Sequence, residues 1–239
     1  MAETQPHVLI TGSSRGIGAA IAHELDARGA LVIGHATTDS PTTLGEDLED
    51  PAAADRLWDR ALERLDGRID VLINNAGVFE PVAVDAEAGA WRAAWTRTLQ
   101  INLQAAADLS RRAVLHWSAR TEGGRLVNVA SRAAYRGDSP QHWHYAASKA
   151  GMVAMTKSIA RGYADRGILA FAVCPGFTRT GMAGDYLASR GGEALLADIP
   201  LGRVAEPEEV GGLCAWLALE APASMTGAVL DVNGASYVR

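Results

Sequence analysis

The chain has 239 residues, which favours a single domain and is long enough to bury a large core. Its residues are 48% hydrophobic and 21% charged, a globular composition that excludes a fibrous or disordered chain. The formal net charge of −6 leaves no general basic surface for a phosphate backbone, so we do not expect nucleic acid as a partner.

The first residues of the chain are polar and lead directly into an apolar run at residues 8–10. This start predicts no signal peptide, and no apolar run reaches the roughly 20 residues needed to cross a bilayer. We therefore expect a soluble, cytoplasmic protein with no membrane partner. Cys174 and Cys214 are too few for a disulfide framework or a four-ligand zinc site, and we expect both to be small core residues.

Short apolar runs alternate with longer helical patterns along the chain. The predicted strands are residues 7–11, 30–34, 70–74, 125–131, 168–174 and 229–233. Several are apolar at nearly every position, which is typical of parallel strands covered on both faces. The predicted helices are residues 17–28, 52–65, 91–117, 148–165 and 207–219. This alternation predicts one α/β domain over residues 1–239, a doubly wound parallel sheet with helices on both faces.

A glycine-rich turn, Thr-Gly-Ser-Ser-Arg-Gly-Ile-Gly at residues 11–18, joins the first predicted strand to the first helix. Glycines let the backbone approach a pyrophosphate closely, and the free N–H groups at the helix start then face the phosphate charge. Glycine patterns also mark ordinary tight turns. Here a strand and a helix flank the segment, which favours a phosphate site.

Polar residues follow two other predicted strands. The segment Asn-Asn-Ala-Gly at residues 74–77 follows the third strand, and Ser131 ends the fourth. An ordinary polar turn would explain the first of these. The carboxyl ends of parallel strands, however, line the ligand crevice of a doubly wound sheet. A hydroxyl at that edge could polarise a substrate oxygen.

The predicted helix 91–117 carries a stripe of large apolar residues: Trp91, Trp95, Leu99, Leu103 and Leu109. Their spacing is typical of a face that packs into the core. The alternative is that part of this face packs against another subunit. The sequence does not decide between the two, and the core stripe is the more economical interpretation.

Tyr145 and Lys149 lie four residues apart in the segment Tyr-Ala-Ala-Ser-Lys. In a helix this spacing puts both side chains on one face. A phenol has an unperturbed pKa near ~10, and a neighbouring ammonium favours the phenolate and lowers that pKa. Tyr145 would then be a usable acid or base. Such pairs also occur on ordinary solvated helix faces, so the pair alone is weak evidence.

Taken together, these residues resemble the short-chain dehydrogenase/reductase family, in its single-domain Rossmann-like branch, over essentially the whole chain. The motifs TGxxxGIG, NNAG, a mid-helix Asn, a Ser and YxxxK occur here in the family's order. Within that family, residues 32–37, 202–210 and 232–237 make the chain most similar to the 3-oxoacyl-acyl-carrier-protein reductases.

The resemblance implies a catalytic tetrad of Asn102, Ser131, Tyr145 and Lys149. Tyr145 would donate a proton to a carbonyl oxygen that Ser131 holds, Lys149 would lower the pKa of Tyr145 and bind the ribose, and Asn102 would position a water. The residues implied to contact the cofactor are Gly12, Ser14, Arg15, Gly16, Ile17, Gly18, Thr37, Asp47, Leu48, Asn75, Ala76, Gly77, Tyr145, Lys149, Pro175, Gly176, Thr178 and Thr180.

The resemblance also implies that the cofactor is NADP(H). Family members that prefer NAD usually have an aspartate at the end of the second strand, where this chain has Ala36 followed by Thr37. Arg15 lies where NADP-dependent relatives often hold a base against the 2′-phosphate. We expect a homo-tetramer on the same analogy.

Two departures from the family pattern affect these expectations. Only eight residues lie between Thr38 and Asp47, so we expect the helix that relatives have there to be missing. The segment from Ser131 to Tyr145 is one residue longer than usual, which alters the loop at the substrate mouth. Its His142 and His144 have no third ligand in the sequence pattern, so we expect a pocket wall and no metal.

The expected function is reduction of a ketone to a secondary alcohol, or the reverse, with NADP(H), and a 3-oxoacyl thioester is one candidate substrate. Arg166 is one base that could receive an acidic carrier protein, but Arg120 is next to Glu122, and the net charge of −6 opposes steering of such a partner. A free or CoA-linked carbonyl compound is therefore the competing substrate. A non-catalytic NADP(H)-binding sensor is the alternative function, although such proteins often lose the Tyr or the Lys.

Overall fold

The computed structural model describes residues 5–180 and 192–239. Seven strands of this part form one parallel sheet, in the order β3-β2-β1-β4-β5-β6-β7. They are β1 (His7–Ile10), β2 (Leu31–Ala36), β3 (Thr43–Gly45), β4 (Val71–Asn74), β5 (Gly124–Val129), β6 (Ile168–Pro175) and β7 (Val229–Val232). The strand order reverses between β1 and β4, and the prediction of a doubly wound parallel sheet is confirmed.

The helices in the described residues cover both faces of the sheet. They are α1 (Gly16–Ala27), α2 (Ala53–Arg64), α3 (Ala88–Leu99), α4 (Ala105–Ser118), α5 (Ala133–Arg136), α6 (Trp143–Tyr163), α7 (Gly192–Ala197) and α8 (Pro207–Leu219). Helices α1 and α8 pack on one face, and α2, α4 and α6 pack on the other. None of these helices is long and apolar enough to cross a membrane.

Alternate side chains of each central strand pack into two separate hydrophobic cores, one on each face of the sheet. Val8 and Ile10 of β1 belong to the cluster under α1 and α8, whereas Leu9 between them belongs to the cluster under α2 and α4. Side chains alternate along a strand, so a strand buried on both faces must be apolar throughout. Cys174 and Cys214 are buried and unpaired with each other, and their prediction as core residues is confirmed.

Strand β3 was not predicted, because it has only three residues, of which Leu44 alone is a large apolar residue. The connection between β2 and β3 contains no helix, as the short segment 38–47 predicts. A bend held by side-chain bonds takes its place: the Asp39 carboxylate accepts from Gly45 N at 2.8 Å and from Arg60 at 2.6 Å.

The predicted helix 91–117 begins earlier than expected and is not uniform. Glu87 caps its start by accepting from Gly89 N and Ala90 N. Between α3 and α4 lies a π turn, Gln100–Gln104, in which Ala105 N bonds to Gln100 O. The core-stripe interpretation is confirmed for Leu109, which is buried, and for Leu103, which packs against a buried cluster. It is wrong for Trp91, Trp95 and Leu99, which are only half-buried and belong to no core cluster.

Candidate active site

The glycine-rich turn lies tightly against the segment after β4. Gly12 has a φ of +66°, and a Cβ there would come within 2.8 Å of Ala76 Cα. A Cβ on Gly18 would lie 2.0 Å from Gly12 O. No other residue type fits these positions without movement of the backbone. The glycines therefore bring two of the predicted cofactor segments into direct contact.

Hydrogen bonds fasten the same two segments together. Thr11 Oγ1 accepts from the backbone N–H groups of Asn75 and Ala76, both at 3.0 Å. The Asn75 side chain donates to Thr11 O at 3.0 Å and to Gly12 O at 2.9 Å. Because β1 and β4 flank the point where the strand order reverses, these bonds build the floor of the crevice where such sheets bind ligands.

The start of α1 fits a nucleotide phosphate. Arg15 is the residue before the first helical turn and makes no side-chain cap, and no acidic residue stands in that turn. The first N–H groups of the helix are thus left for an anion, and the helix dipole favours one there. Ser14 and Arg15 are exposed at this position.

The residues expected beside adenosine lie at the ends of β2 and β3. Thr37 and Asp47 are exposed, and Ala36 is half-buried. Leu48 is 5% exposed and packs in the core with α2. Only the main chain of Leu48 is therefore in a position to contact a base.

The segment after β6 approaches the glycine-rich turn from the other side. The Thr180 methyl group would be 3.0 Å from a Cβ on Gly16, so these two predicted cofactor residues face each other. Gly176 lies against Asn233, and Thr178 is buried. Pro175 is the last residue of β6.

Ser131 and Tyr145 meet at the carboxyl edge of β5. Helix α6 begins at Trp143, five residues before the predicted start, so Tyr145 and Lys149 both lie in its first two turns. The Ser131 hydroxyl is close enough to the Tyr145 phenol to lower the pKa of Tyr145 as a hydrogen-bonding neighbour. A carbonyl oxygen placed between these two hydroxyls would meet two donors.

Lys149 is buried beside the same phenol. Its ammonium lies 5.9 Å from the centroid of the Tyr145 ring and donates to Val129 O at 2.9 Å. A Cβ on Gly77 would lie 3.5 Å from Lys149 Nζ and 3.3 Å from Asn102 Oδ1. The structure therefore brings three predicted segments, and the whole predicted tetrad, to one place.

Burial sets the protonation of both groups in the ligand-free protein. It raises the pKa of Tyr145 to about 12, against the lowering effect of the Ser131 hydrogen bond, and Asp138 raises it further. It lowers the pKa of Lys149 to about 8. The expected lowering of the Tyr145 pKa is therefore not found, because desolvation of the phenolate outweighs the lowering effect of Ser131.

Asn102 lies in the π turn and is fully buried. Its Oδ1 accepts from Val78 N at 2.8 Å, and its Nδ2 donates to Val78 O at 2.9 Å and to Ser148 Oγ at 3.3 Å. Ser148 in turn donates to Tyr145 O at 2.7 Å. The amide therefore braces the segment after β4 against α6, and both of its N–H donors are used in doing so.

Comparisons with known proteins agree with this geometry. A family model described as enoyl-(acyl carrier protein) reductase matches residues 12–235. The 3-oxoacyl-acyl-carrier-protein reductases FabG of Vibrio cholerae and Escherichia coli are 36% and 34% identical to this chain, each over 96% of both chains. The chain belongs to the short-chain dehydrogenase/reductase family. A solved short-chain dehydrogenase/reductase from Serratia marcescens superposes with a TM-score of 0.86 at 29% identity, over 98% of both chains.

This short-chain dehydrogenase/reductase has an aromatic wall beside Tyr145 that the sequence patterns did not single out. The Phe79 ring meets the Tyr145 ring edge-on at 4.7 Å and stacks on His142 at 3.8 Å. Ser139 Oγ holds His142 Nδ1 at 2.7 Å. His144 is parallel to His142 at 6.4 Å. His142 thus packs beside Tyr145, whereas His144 is fully buried, and their role as a pocket wall stays a prediction.

A buried amide network behind the site was also missed. Asn74 donates to Asn128 Oδ1 at 2.9 Å, and Asn128 donates to Thr156 Oγ1 at 2.8 Å. Asn74 and Asn128 lie at paired positions of β4 and β5. The signal in the sequence is an asparagine directly next to apolar residues in each strand, at the end of Val-Leu-Ile-Asn and within Leu-Val-Asn-Val, since a buried amide requires partners.

The basic residues considered for a carrier protein differ in availability. Arg120 donates to Asp70 at 2.8 Å and to Ile69 O at 3.2 Å, so its guanidinium is already bonded within the chain. Arg166 lies over the Tyr163 ring at 5.5 Å. The sequence also predicts a lid over the substrate site at residues 181–200. Of this segment, residues 181–191 lie outside the described residues, and α7 forms residues 192–197.

Proposed function

We propose that this protein is an NADP(H)-dependent oxidoreductase that interconverts a ketone and a secondary alcohol, with residues 1–239 acting as one cofactor-binding domain. The observation that carries the proposal is the Ser131–Tyr145 hydroxyl pair beside the buried ammonium of Lys149. The relatives' names support an oxidoreductase acting on acyl compounds.

In this mechanism Ser131 holds the carbonyl oxygen and Tyr145 Oη delivers a proton to it. The nicotinamide ring, when bound, supplies the hydride for reduction or accepts it for oxidation. Gly12, Gly16 and Gly18 with the start of α1 would hold its pyrophosphate. Lys149 places a positive charge under the phenol and lies within reach of a ribose beside Gly77. Both hydroxyls are in position before substrate binds, so little free energy is spent on reorganising donors around the negative charge that develops on the oxygen.

Reduction is the direction that the ionisation state favours. A phenol whose pKa is raised to about 12 stays protonated at neutral pH and is ready to donate. Oxidation of an alcohol would need the phenolate, which burial disfavours.

A free or CoA-linked ketone fits the chain better than one carried by an acidic protein. The net charge of −6 repels such a carrier, and Arg120 is already paired with Asp70. The test is loss of NADPH absorbance with a panel of ketones, 3-oxoacyl-CoA thioesters, 3-oxoacyl carrier-protein thioesters and enoyl thioesters. Turnover of a ketone or a CoA thioester supports the proposal. NADPH binding without turnover across the panel would favour the sensor, and turnover of enoyl thioesters alone would favour reduction of a carbon–carbon double bond.

The cofactor preference gives a second test. Arg15 stands where it can meet a 2′-phosphate, and Ala36 neither repels that group nor binds a 2′-hydroxyl. A charge-assisted hydrogen bond contributes roughly 1.5–3 kcal/mol, or about ten- to a hundredfold in affinity. We expect NADPH to exceed NADH in kcat/KM by that factor. Arg15→Ala and Ala36→Asp should each reduce the ratio, and the double variant should reverse it.

Arg28→Ala, at the far end of α1, is the matched control and should leave the ratio unchanged. Equal kcat/KM for both cofactors in the wild-type protein would contradict the NADP(H) assignment.

We also propose a homo-tetramer located in the cytoplasm. Its support is that two helices of the same layer each carry a large exposed apolar residue: Leu115 on α4 is 55% exposed and Trp143 on α6 is 50% exposed. Light scattering should give four times the 25.1 kDa chain mass. Leu115→Asp should lower that mass, because a buried unpaired charge disrupts an interface. Val84→Asp, at a loop residue that is 65% exposed, should not. A monomeric wild-type protein at micromolar concentration would contradict the assembly.

A further inference from the structure

His35 is a buried imidazole between the glycine-rich turn and the loop after β3. It is 4% exposed and lies near the end of β2. The Gly12 N–H donates to its Nδ1 at 3.2 Å, and its Nε2 lies 3.0 Å from Glu46 O. The imidazole therefore bridges the turn assigned to the pyrophosphate and the residue just before Asp47 and Leu48.

These two bonds fix one protonation state. A backbone N–H can only donate and a carbonyl oxygen can only accept, so Nδ1 must be bare and Nε2 must carry the proton. A second proton on Nδ1 would remove the bond from Gly12 and put two donors face to face. Burial lowers the pKa of His35, against opposing effects from the Glu46 and Asp47 carboxylates, so the neutral form is favoured.

The charges around His35 come from the loop and from α2. The Glu46 carboxylate accepts from Arg56 at 2.9 Å and from Arg60 at 3.0 Å, which leaves it little free charge to hold an imidazolium. From the glycine-rich turn, Gly12 and Ser13 bring no charge, and Ser13 N bonds to His35 O at 2.9 Å. From β3, the residue in register with His35 is Leu44.

The short segment between β2 and α2 explains why such a bridge is needed. No helix is inserted between β2 and β3, and the outer side of the loop is held by ion pairs of exposed or partly exposed arginines. Exposed ion pairs contribute little to stability and tolerate movement. Leu44 and Leu48 anchor the segment to α2, whereas the buried bonds of His35 are the ones that connect it to the glycine-rich turn.

We propose that His35 is a positioning residue for the cofactor, whose neutral imidazole holds the pyrophosphate turn and the adenine loop at a fixed separation. The proposal rests on the nucleotide-binding function proposed above. It implies that nucleotide affinity falls as His35 becomes protonated, below the ordinary histidine range. It also implies that the affinity is lower at all pH values when either bond is removed.

The test compares the wild-type protein with His35→Asn and His35→Gln. Asparagine keeps an acceptor near the Nδ1 position, and glutamine keeps a donor near the Nε2 position, so each loses one of the two bonds. Kd for NADPH and for NADH is measured by fluorescence titration between pH 5.5 and 8. One net hydrogen bond corresponds to roughly three- to tenfold in affinity, which is the weakening expected for each variant at pH 8.

A loss of nucleotide affinity at low pH that both variants lack identifies His35 as the titrating group. The wild-type Kd should rise as pH falls below the ordinary histidine range, because burial lowers the pKa of His35, whereas both variants should lack that component. The 2′-phosphate of NADPH also titrates near ~6, so NADH, which lacks it, gives the clean comparison. His23→Gln, at an exposed position on α1, is the matched control and should behave as wild type.

Nitrogen-15 NMR of the ligand-free protein gives a readout independent of binding. His35 should appear as the Nε2–H tautomer at neutral pH. An Nδ1–H tautomer, or wild-type and variant proteins with the same Kd at every pH, would overturn the proposal. If the wild-type protein binds neither nucleotide at any pH, the proposed function fails, and the NMR measurement still decides whether the His35 bridge exists.

Discussion

Replacing Tyr145 with phenylalanine should lower turnover by about 10²–10⁴-fold, the usual worth of general acid–base catalysis, while folding and NADPH binding survive. The substitution removes one hydroxyl and keeps the ring that packs on Phe79. Ser131 would lose its hydrogen-bond partner but still bond Ala133 N. Steady-state NADPH oxidation measures turnover, and fluorescence titration measures binding.

Tyr163→Phe is the matched control, since Tyr163 ends the same helix away from the site. It should keep wild-type turnover. Near-wild-type turnover in a well-folded Tyr145→Phe protein would remove Tyr145 from the role of proton donor.

Replacing Lys149 with methionine should have the second largest effect, because the ammonium serves two partners. Cofactor binding should weaken when the cation beside the ribose site is lost. The phenolate should also become harder to form, since an opposite charge near a phenol lowers its pKa and its removal raises it. The pH profile of alcohol oxidation, measured at saturating cofactor, should therefore move to higher pH.

The wild-type protein should also lose reductive activity as pH rises through about 8, where Lys149 itself loses its proton. In Lys149→Met the fall in reductive activity near pH 8 should be absent, because the pKa of Tyr145, about 12, lies well above that pH. Lys157→Met, at an exposed position on the same helix, is the control. A variant of Lys149 with unchanged pH profiles would show that this ammonium does not tune the phenol.

Most of the fold could be predicted because it follows from local patterns. All six predicted strands are present within two residues of their expected ends, since each is an apolar run long enough to be recognised. The motif residues could also be placed, because parallel strands of a doubly wound sheet bring their carboxyl ends to one edge. Gly12, Asn75 and Ser131 follow different strands and still converge there.

What could not be predicted depends on contacts between distant segments. His35 resembles any polar residue in a strand until Gly12 and Glu46 are seen on either side of its ring. The raised pKa of Tyr145 depends on burial by the surrounding elements, which no spacing reveals. The prediction that Trp91 and Trp95 pack into the core was wrong for a related reason. A four-residue period shows that two side chains share a helix face, but it does not show what covers that face.

The π turn between α3 and α4 constrains how this chain can change by insertion or deletion. The π turn holds one residue more than an α-helical turn, so removing one residue from Gln100–Gln104 would restore ordinary helical spacing with little net rotation of α3 relative to α4. The contacts at risk are those of Asn102, whose amide bonds to both the N–H and the C=O of Val78. A single-codon deletion here would thus disturb the brace beside the tetrad and leave α3 and α4 in register with each other. The length of this helix is tied to the position of one amide, whereas the connection between β2 and β3 is held by side-chain bonds that do not depend on a helix within it.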